Sequence, residues 1–334
     1  MPSRHRQVTL ATIAAAAGVS VATVSKVLNG RSDVAPATRE LVRELLVERG
    51  YVHRSALREP VATVELQVEG PLCAYSDKIV QGAMQAAAES GAAVVVTSTD
   101  HLADGVSWAR GLVEAGRRAV ITLAVEPTPD QLGVLIQANL PVVVIDPLNV
   151  PAGPVTSVGP TNFAGGMSAT RHLLALGHRR IAYLGGPATA GSNQARMHGY
   201  RAAMEEAGVP VPAEYVRTSG FCYPHGVQEG AALLDLPSPP TAVFAASDEI
   251  ALGAIQVARS RGLRIPEDLS VVGFDDTQIA TMTAPMLTTV RQPLREMGAV
   301  ALRMALRLAG GESVESRHLE LATELVVRGS STAA

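Results

Sequence analysis

The sequence predicts a small all-α head followed by a larger α/β body of two doubly wound lobes. Three observations carry this. The first 50 or so residues hold two short apolar-periodic segments joined by one glycine, and a third opened by a proline. From about Val61 onward, β-branched runs alternate with longer amphipathic segments. At 334 residues the chain exceeds one ordinary domain, and the alternation is long enough for two such units in series.

In the head, a first helix is predicted over Leu10–Ala17, with Leu10, Ile13, Ala14 and Ala17 on one apolar face. Gly18 stands where a helix end needs a left-handed residue, and Ser20 is placed to cap a second helix. Val24, Val27 and Leu28 of that second helix face the first, which leaves Val21, Ala22, Ser25 and Lys26 outward. Those are the positions that a recognition helix offers to base edges in a major groove. An alanine-rich hairpin could also be the mere corner of a helical domain. Against this stands the continuation Asn29–Glu40, in which Pro36 suits the first turn of a third helix. Val42, Leu45 and Leu46 then give that helix the apolar stripe that closes a three-helix core.

Charge is divided accordingly. Residues 1–58 carry nine Lys and Arg against four Asp and Glu, whereas the whole chain has a net charge of −3. A basic head on an acidic body suits a DNA-binding module joined to a regulatory one. Cys73 and Cys222 are the two cysteines; they form neither a zinc spacing nor a disulfide framework, and read as reduced thiols of a cytoplasmic protein. Arg4, His5 and Arg6 precede no apolar signal core, and no apolar run reaches the roughly 20 residues of a membrane span.

In the body, strands are predicted at Val61–Val68, Ala93–Thr97, Ala119–Leu123, Val142–Ile145, Ile181–Leu184, Thr241–Ala245 and Leu269–Phe274. Helices are predicted at Asp77–Ser90, Asn162–Leu176, Gln194–Ala207, Asp248–Arg261 and Pro293–Leu308. No Gly-x-Ser-x-Gly elbow, Walker-type loop or His-Glu-x-x-His occurs, and the eight histidines show no metal-ligand spacing. An enzyme is therefore not expected, nor a cofactor or a metal. The terminal Arg328–Ala334 reads as a disordered tail, and no tetramerising heptads follow Val327.

Thr9–Tyr51, with Gly18-Val19-Ser20, Thr23-Val24-Ser25, Val27-Leu28-Asn29 and Thr38-Arg39 in order, closely resembles the head of the LacI/GalR family of bacterial repressors. The body resembles that family's regulatory core, which is similar to periplasmic sugar-binding proteins. The match rests on Leu176–Ala182, Arg196–Tyr200, Ser247–Gly253, Val271–Asp276 and Leu287–Pro293. The resemblance implies a helix-turn-helix head over 1–50, a hinge or linker over 51–60 and a periplasmic-binding-protein-like core over 61–334. The first lobe would take about 61–159 and 291–317, the second about 160–290 and 318–328.

The same resemblance implies a homodimeric repressor of operator DNA, controlled by a small effector in the interlobe cleft. The effector would be a sugar or oligosaccharide inducer, with a nucleobase-like corepressor as the alternative. A sugar-binding transport protein shares the core but would carry a secretion signal and no head. Residue by residue, Arg196 and Asp275 would grip the effector, Phe221 would stack on it, and Asp146, Ser192, Ser247, Gln292, Tyr75 and Ser76 would supply further contacts. The alternatives are a surface ion pair for Arg196, a helix cap for Asp275, a core ring for Phe221 and a turn former for Asp146. On DNA, Thr9, Ser20, Ser25, Asn29 and Thr38 would position the head on the phosphates, with Arg39 as a further candidate. Val21 and Ala22 are apolar where many relatives place polar readers, and so would meet thymine methyls. Lys26 would read a base edge or contact a phosphate. The stretch after Tyr51 lacks the family's Pro-Asn pair and is about three residues short. Leu57 either wedges into the minor groove or lies in a linker ended by Pro60.

Overall fold

The computed structural model describes residues 9–28, 31, 34–49, 51, 61–99, 105–147 and 155–334. The chain divides into two compact units, residues 1–61 and 62–334. Asn29 and Leu57, both expected at DNA, lie outside the described residues.

The smaller unit contains α1 (Leu10–Ala17), α2 (Val21–Leu28) and α3 (Pro36–Glu48). Thr9 caps α1 through a bond from the Thr12 amide, and Gly18 ends it at φ 64° with its N–H donating to the Ala14 carbonyl. Ser20 Oγ accepts from the Thr23 amide at 3.1 Å and starts α2. The axes of α1 and α2 bend by 105°, the geometry of a helix-turn-helix. Ile13, Ala14, Val24, Val27, Val34, Val42 and Leu46 are buried together at its centre.

The larger unit holds two six-stranded sheets. The first comprises β1 (Thr63–Glu69), β2 (Ala93–Thr99), β3 (Ala119–Leu123), β4 (Val142–Ile145), β5 (Thr156–Pro160) and β11 (His318–Leu321), all parallel, in the order β11-β5-β4-β3-β1-β2. The second comprises β6 (Ile181–Gly185), β7 (Val216–Thr218), β8 (Ala242–Ala245), β9 (Ser270–Asp275), β10 (Thr288–Arg291) and β12 (Glu324–Val326). Its order is β12-β10-β9-β8-β6-β7, with only β12 antiparallel. Each sheet thus repeats one doubly wound order, and binding residues are expected beyond the carboxyl ends of such strands.

The helices are α4 (Ala74–Glu89), α5 (Ser107–Glu114), α6 (Pro129–Gln137), α7 (Asn162–Ala175), α8 (Gly191–Glu206), α9 (Tyr223–Leu234), α10 (Asp248–Ser260), α11 (Gln278–Met282) and α12 (Leu294–Ala309). Leu66, Ile121 and Ile145 are fully buried on the first sheet, and Tyr183, Phe244 and Phe274 on the second. Each such side chain contributes roughly 1.5–3 kcal/mol. Helix α12 returns from the far end of the chain to pack on α4.

Two expectations are corrected. The segment 318–328, expected wholly in the second lobe, is divided. His318–Leu321 pairs in parallel with Ser157–Pro160 of the first sheet, and only Glu324–Val326 joins the second. The terminal Arg328–Ala334 is a fixed strap, not a disordered tail. Ser330 has no exposed surface, its carbonyl accepts from the Val271 amide, and Ser270 Oγ accepts from the Thr332 amide. Small hydroxyl side chains that made this segment look unstructured help to hold it: Ser330 Oγ donates to the Val271 carbonyl of β9, and Ser331 Oγ lies 3.1 Å from Thr288 Oγ1 of β10.

Candidate functional site

In the larger unit, the carboxyl ends of both sheets converge on one group of polar side chains. Arg196 comes from α8. Gly166 of α7 and Gly199 of α8 let the two helices cross closely, because an added Cβ at Gly199 would overlap the Phe163 carbonyl, and one at Gly166 the Arg196 carbonyl. The crossing puts Arg196 beside the first turn of α7. There its Nε donates to Asn162 Oδ1 at 2.8 Å and its Nη1 to the Ala246 carbonyl at 2.7 Å. The guanidinium carbon lies 3.9 Å from the centre of the Phe274 ring and 5.7 Å from that of Phe221. Two aromatic faces thus offset the cost of burying its charge.

Asp275 ends β9, its Oδ1 3.9 Å from Arg196 Nη1. That is too long for a hydrogen bond. Gln292 Nε2 donates to the same Oδ1, while Gln292 Oε1 is buried with no partner among the described residues. Burial pushes the Asp275 carboxyl well above the usual carboxylate range, against the pull of Arg196. Among the described residues neither Arg196 Nη2 nor Asp275 Oδ2 makes a hydrogen bond within the protein. A donor and an acceptor are therefore left open side by side. The alternative of a surface ion pair for Arg196 is not what forms, since Arg196 and Asp275 are both buried.

Asp146 follows β4 in the opposite sheet. Its Oδ2 accepts from the Tyr75 hydroxyl at 3.0 Å, and its Oδ1 from Asn162 Nδ2 at 3.4 Å. Burial first, and then the Asp146 charge, hold the Tyr75 hydroxyl well above the usual phenol range, so it stays a donor. Asp146, Asp275 and Asp276 have φ of 49°, 118° and 55°. A non-glycine backbone in that region costs about 1–3 kcal/mol and collects at binding sites. The turn after Asp275 is also tied by Asp276, which accepts from Arg291 Nε at 2.7 Å and pairs with Arg328 at 2.6 Å.

The remaining expected residues divide. Phe221 is half-buried, with its ring against Gly186, where an added Cβ would overlap it. Ser192 lines a cavity of about 410 Å³ together with Asp146, Asn162, Phe163 and Glu320. Ser247 caps α10 and donates to the Phe221 carbonyl at 2.8 Å, so it acts on the ring through the backbone. Ser76 bonds with the Cys73 backbone at the start of α4, and its hydroxyl is engaged there. Sequence reasoning missed Asn162, which reads as an ordinary helix-start residue after Thr161, and Phe274, which reads only as strand core.

In the smaller unit, α2 presents Val21, Ala22 and Lys26 as exposed and Ser25 as half-buried, while Val24 and Val27 are buried. Thr9 and Ser20 are exposed as well as capping their helices, and Thr38 is half-buried. The Arg39 guanidinium reaches back to the Val34 carbonyl at 3.0 Å and so braces the loop before α3.

Comparison with known proteins agrees with both units. Residues 9–53 match the family described as bacterial regulatory proteins, lacI family, and residues 170–331 match the periplasmic binding protein-like domain. The chain is 37% identical to the HTH-type transcriptional regulator CelR of Thermobifida fusca, over 98% of this chain and 99% of that one. It is 34% identical to the HTH-type transcriptional regulator DegA of Bacillus subtilis (strain 168), over 97% and 98%. Among solved structures, a transcriptional regulator CelR-cellobiose complex aligns with a TM-score of 0.75 at 36% identity, covering 97% of this chain and 99% of that one. The lac repressor dimer bound to operator and the anti-inducer ONPF aligns with a TM-score of 0.81 at 28% identity, covering 98% and 100%. This chain belongs to the lacI family of bacterial regulatory proteins.

Proposed function

We propose that this protein is a homodimeric repressor whose head reads operator half-sites and whose core binds a saccharide effector between the two sheets. The open donor of Arg196 beside the open acceptor of Asp275 carries this reading. Adjacent sugar hydroxyls each donate and accept, and so bridge such a pair, while an aromatic face such as Phe221 meets the sugar's C–H surface. Tyr75, Asp146 and Gln292 supply the rim, with Ser192 beside them and Ser247 and Ser76 behind. The reading is supported by a relative solved as a complex with cellobiose and by another solved as an operator-bound dimer. It makes the protein a cytoplasmic regulator that returns its effector chemically unchanged.

In this reading residues 1–50 form the DNA-binding head, 51–60 link it to the core, and one head covers one half-site, so two-fold symmetry follows. Thr9, Ser20, Ser25 and Thr38 seat the head on phosphates, while Val21, Ala22 and Lys26 face the bases. Effector and operator are coupled reciprocally: a saccharide that weakens operator binding must itself bind the operator complex less tightly.

Thermal-shift and calorimetric titration with cellobiose, its monosaccharide, longer β-linked glucans and free nucleobases tests the reading. Saccharide binding that is lost in Arg196→Ala is the expected result. Equal stabilisation of wild type and Arg196→Ala would overturn the site, and binding of a nucleobase alone would overturn the effector class.

A further inference from the structure

Asp248 is the first residue of α10 and has no exposed surface. Its Oδ2 accepts from the Thr277 amide at 2.8 Å and from the Thr277 hydroxyl at 3.0 Å, and its Oδ1 accepts from the Thr289 hydroxyl at 2.6 Å. Both threonines are buried. The three contacts join elements that are distant in sequence. Thr277 follows directly on Asp275 and Asp276, two consecutive residues with left-handed backbone. Thr289 lies in β10, three residues before Gln292, whose amide donates to Asp275.

Two further features show that the surroundings are built around this carboxylate. An added Cβ at Gly273 would stand 2.6 Å from Asp248 Oδ1, so the glycine of β9 is the space that the carboxylate requires. The first turn of α10 favours a negative charge at its start. A left-handed backbone at two consecutive aspartates persists only when its neighbours over-determine it. Asp248 supplies that constraint on the far side of the turn, while Arg291 and Arg328 hold Asp276 on the other.

We propose that Asp248 is a positioning residue for the effector site: it holds the Asp275–Thr277 turn and β10 in the arrangement in which Asp275 and Gln292 face Arg196. The proposal rests on the reading of the cleft given above, and Asp248 itself touches no effector. Its carboxylate is the common acceptor that fixes two segments relative to each other.

The test uses the full-length protein. Asp248→Asn keeps the volume but removes the charge, and its NH2 group either opposes the Thr277 amide N–H or forces the Thr289 hydroxyl to turn from donor to acceptor. Thr277→Val removes one donor at nearly constant shape, and Thr277→Ser retains it. Cellobiose affinity is expected to fall about tenfold or more in Asp248→Asn, several-fold in Thr277→Val and little in Thr277→Ser. Operator affinity without saccharide stays within about twofold in all three, which a general loss of folding would not allow. Hydrogen exchange of the peptide covering 274–280 speeds up in Asp248→Asn while β6 and β8 stay protected. Unchanged exchange in that peptide, or an equal loss of operator and cellobiose binding, overturns the proposal. If the wild type binds no cellobiose, the reading of the cleft is what fails, and the exchange measurement still decides whether Asp248 holds the turn.

Discussion

Asn162 joins Arg196 to Asp146: its Oδ1 accepts from the guanidinium Nε at 2.8 Å while its Nδ2 donates to the carboxylate Oδ1 at 3.4 Å. Arg196 comes from α8 and Asp146 from the end of β4 in the first sheet, and Asn162 sits where the chain passes from the first sheet to the second. Just before it, Thr161 is clasped to Thr323 on a second crossing segment, with hydroxyls 2.9 Å apart and the Thr323 amide donating to Thr161 Oγ1 at 3.0 Å. A side chain at a crossing therefore holds two groups of the proposed effector site.

Asn162→Ala would leave a buried guanidinium N–H without its partner. An unpaired buried donor costs about 1–3 kcal/mol, more for a charged group. The free energy of unfolding in urea should fall by that amount, and saccharide affinity should fall with it. An unchanged denaturation midpoint would mean that Arg196 is held by the Ala246 carbonyl and the two rings alone.

The crossing of α7 and α8 gives a second prediction. Gly199→Ala places a methyl group into the Phe163 carbonyl, so the helices must separate or the backbone must shift. Overpacking of this kind costs roughly 1–3 kcal/mol. Because Arg196 is one turn earlier on the same helix, saccharide affinity should drop beyond what the lost stability explains. Calorimetry well below the melting temperature separates the two effects.

How far the sequence could be read depends on which signal each element carries. The β-branched runs Ala119–Leu123 and Val142–Ile145 are buried on both faces, and their boundaries match the strands residue for residue. His318–Leu321 alternates polar and apolar residues, a pattern equally at home at the edge of either sheet, and only the register with Ser157–Pro160 assigns it. Arg196 and Asp275 were legible through the motifs around them. Asn162 and Asp248 were not legible as site residues, because a polar residue at a helix start reads first as a cap. What each one bonds to is set by tertiary contacts, 34 residues away for Asn162 and 29 to 41 residues away for Asp248.

The head offers a third prediction. Ser20 caps α2, and Ser20→Ala should cost the helix about 1 kcal/mol. Lys26 is exposed on the same helix. In mobility shifts at two salt concentrations, Lys26→Ala should weaken the preferred operator by roughly 1–3 kcal/mol more than unrelated DNA if it reads a base. A uniform loss with a shallower salt dependence assigns it to a phosphate instead.

The terminal strap makes stability depend on pH. His178 Nε2 donates to the Thr332 carbonyl at 3.0 Å, and His172 Nε2 lies 2.9 Å from Ser331 Oγ. Burial holds both imidazoles below their ordinary value of 6.5, and the charge of His178 lowers His172 further. Well above pH 6.5 folded and unfolded chains are both neutral at these positions, and the stabilising contribution is complete. As the pH falls below that, the unfolded chain takes up protons that the folded one resists, so stability is lost through the folded values. These two groups should therefore lower the melting temperature at about pH 5.5 relative to about pH 7.5, while the buried carboxyls of Asp248 and Asp275, held above the usual range, act in the opposite sense. In the double variant His172→Gln, His178→Gln the melting temperature at about pH 5.5 should rise relative to that at about pH 7.5, because two groups that bind protons preferentially in the unfolded state are gone. If the variant keeps the full wild-type difference, the strap histidines are not the origin of the acid sensitivity.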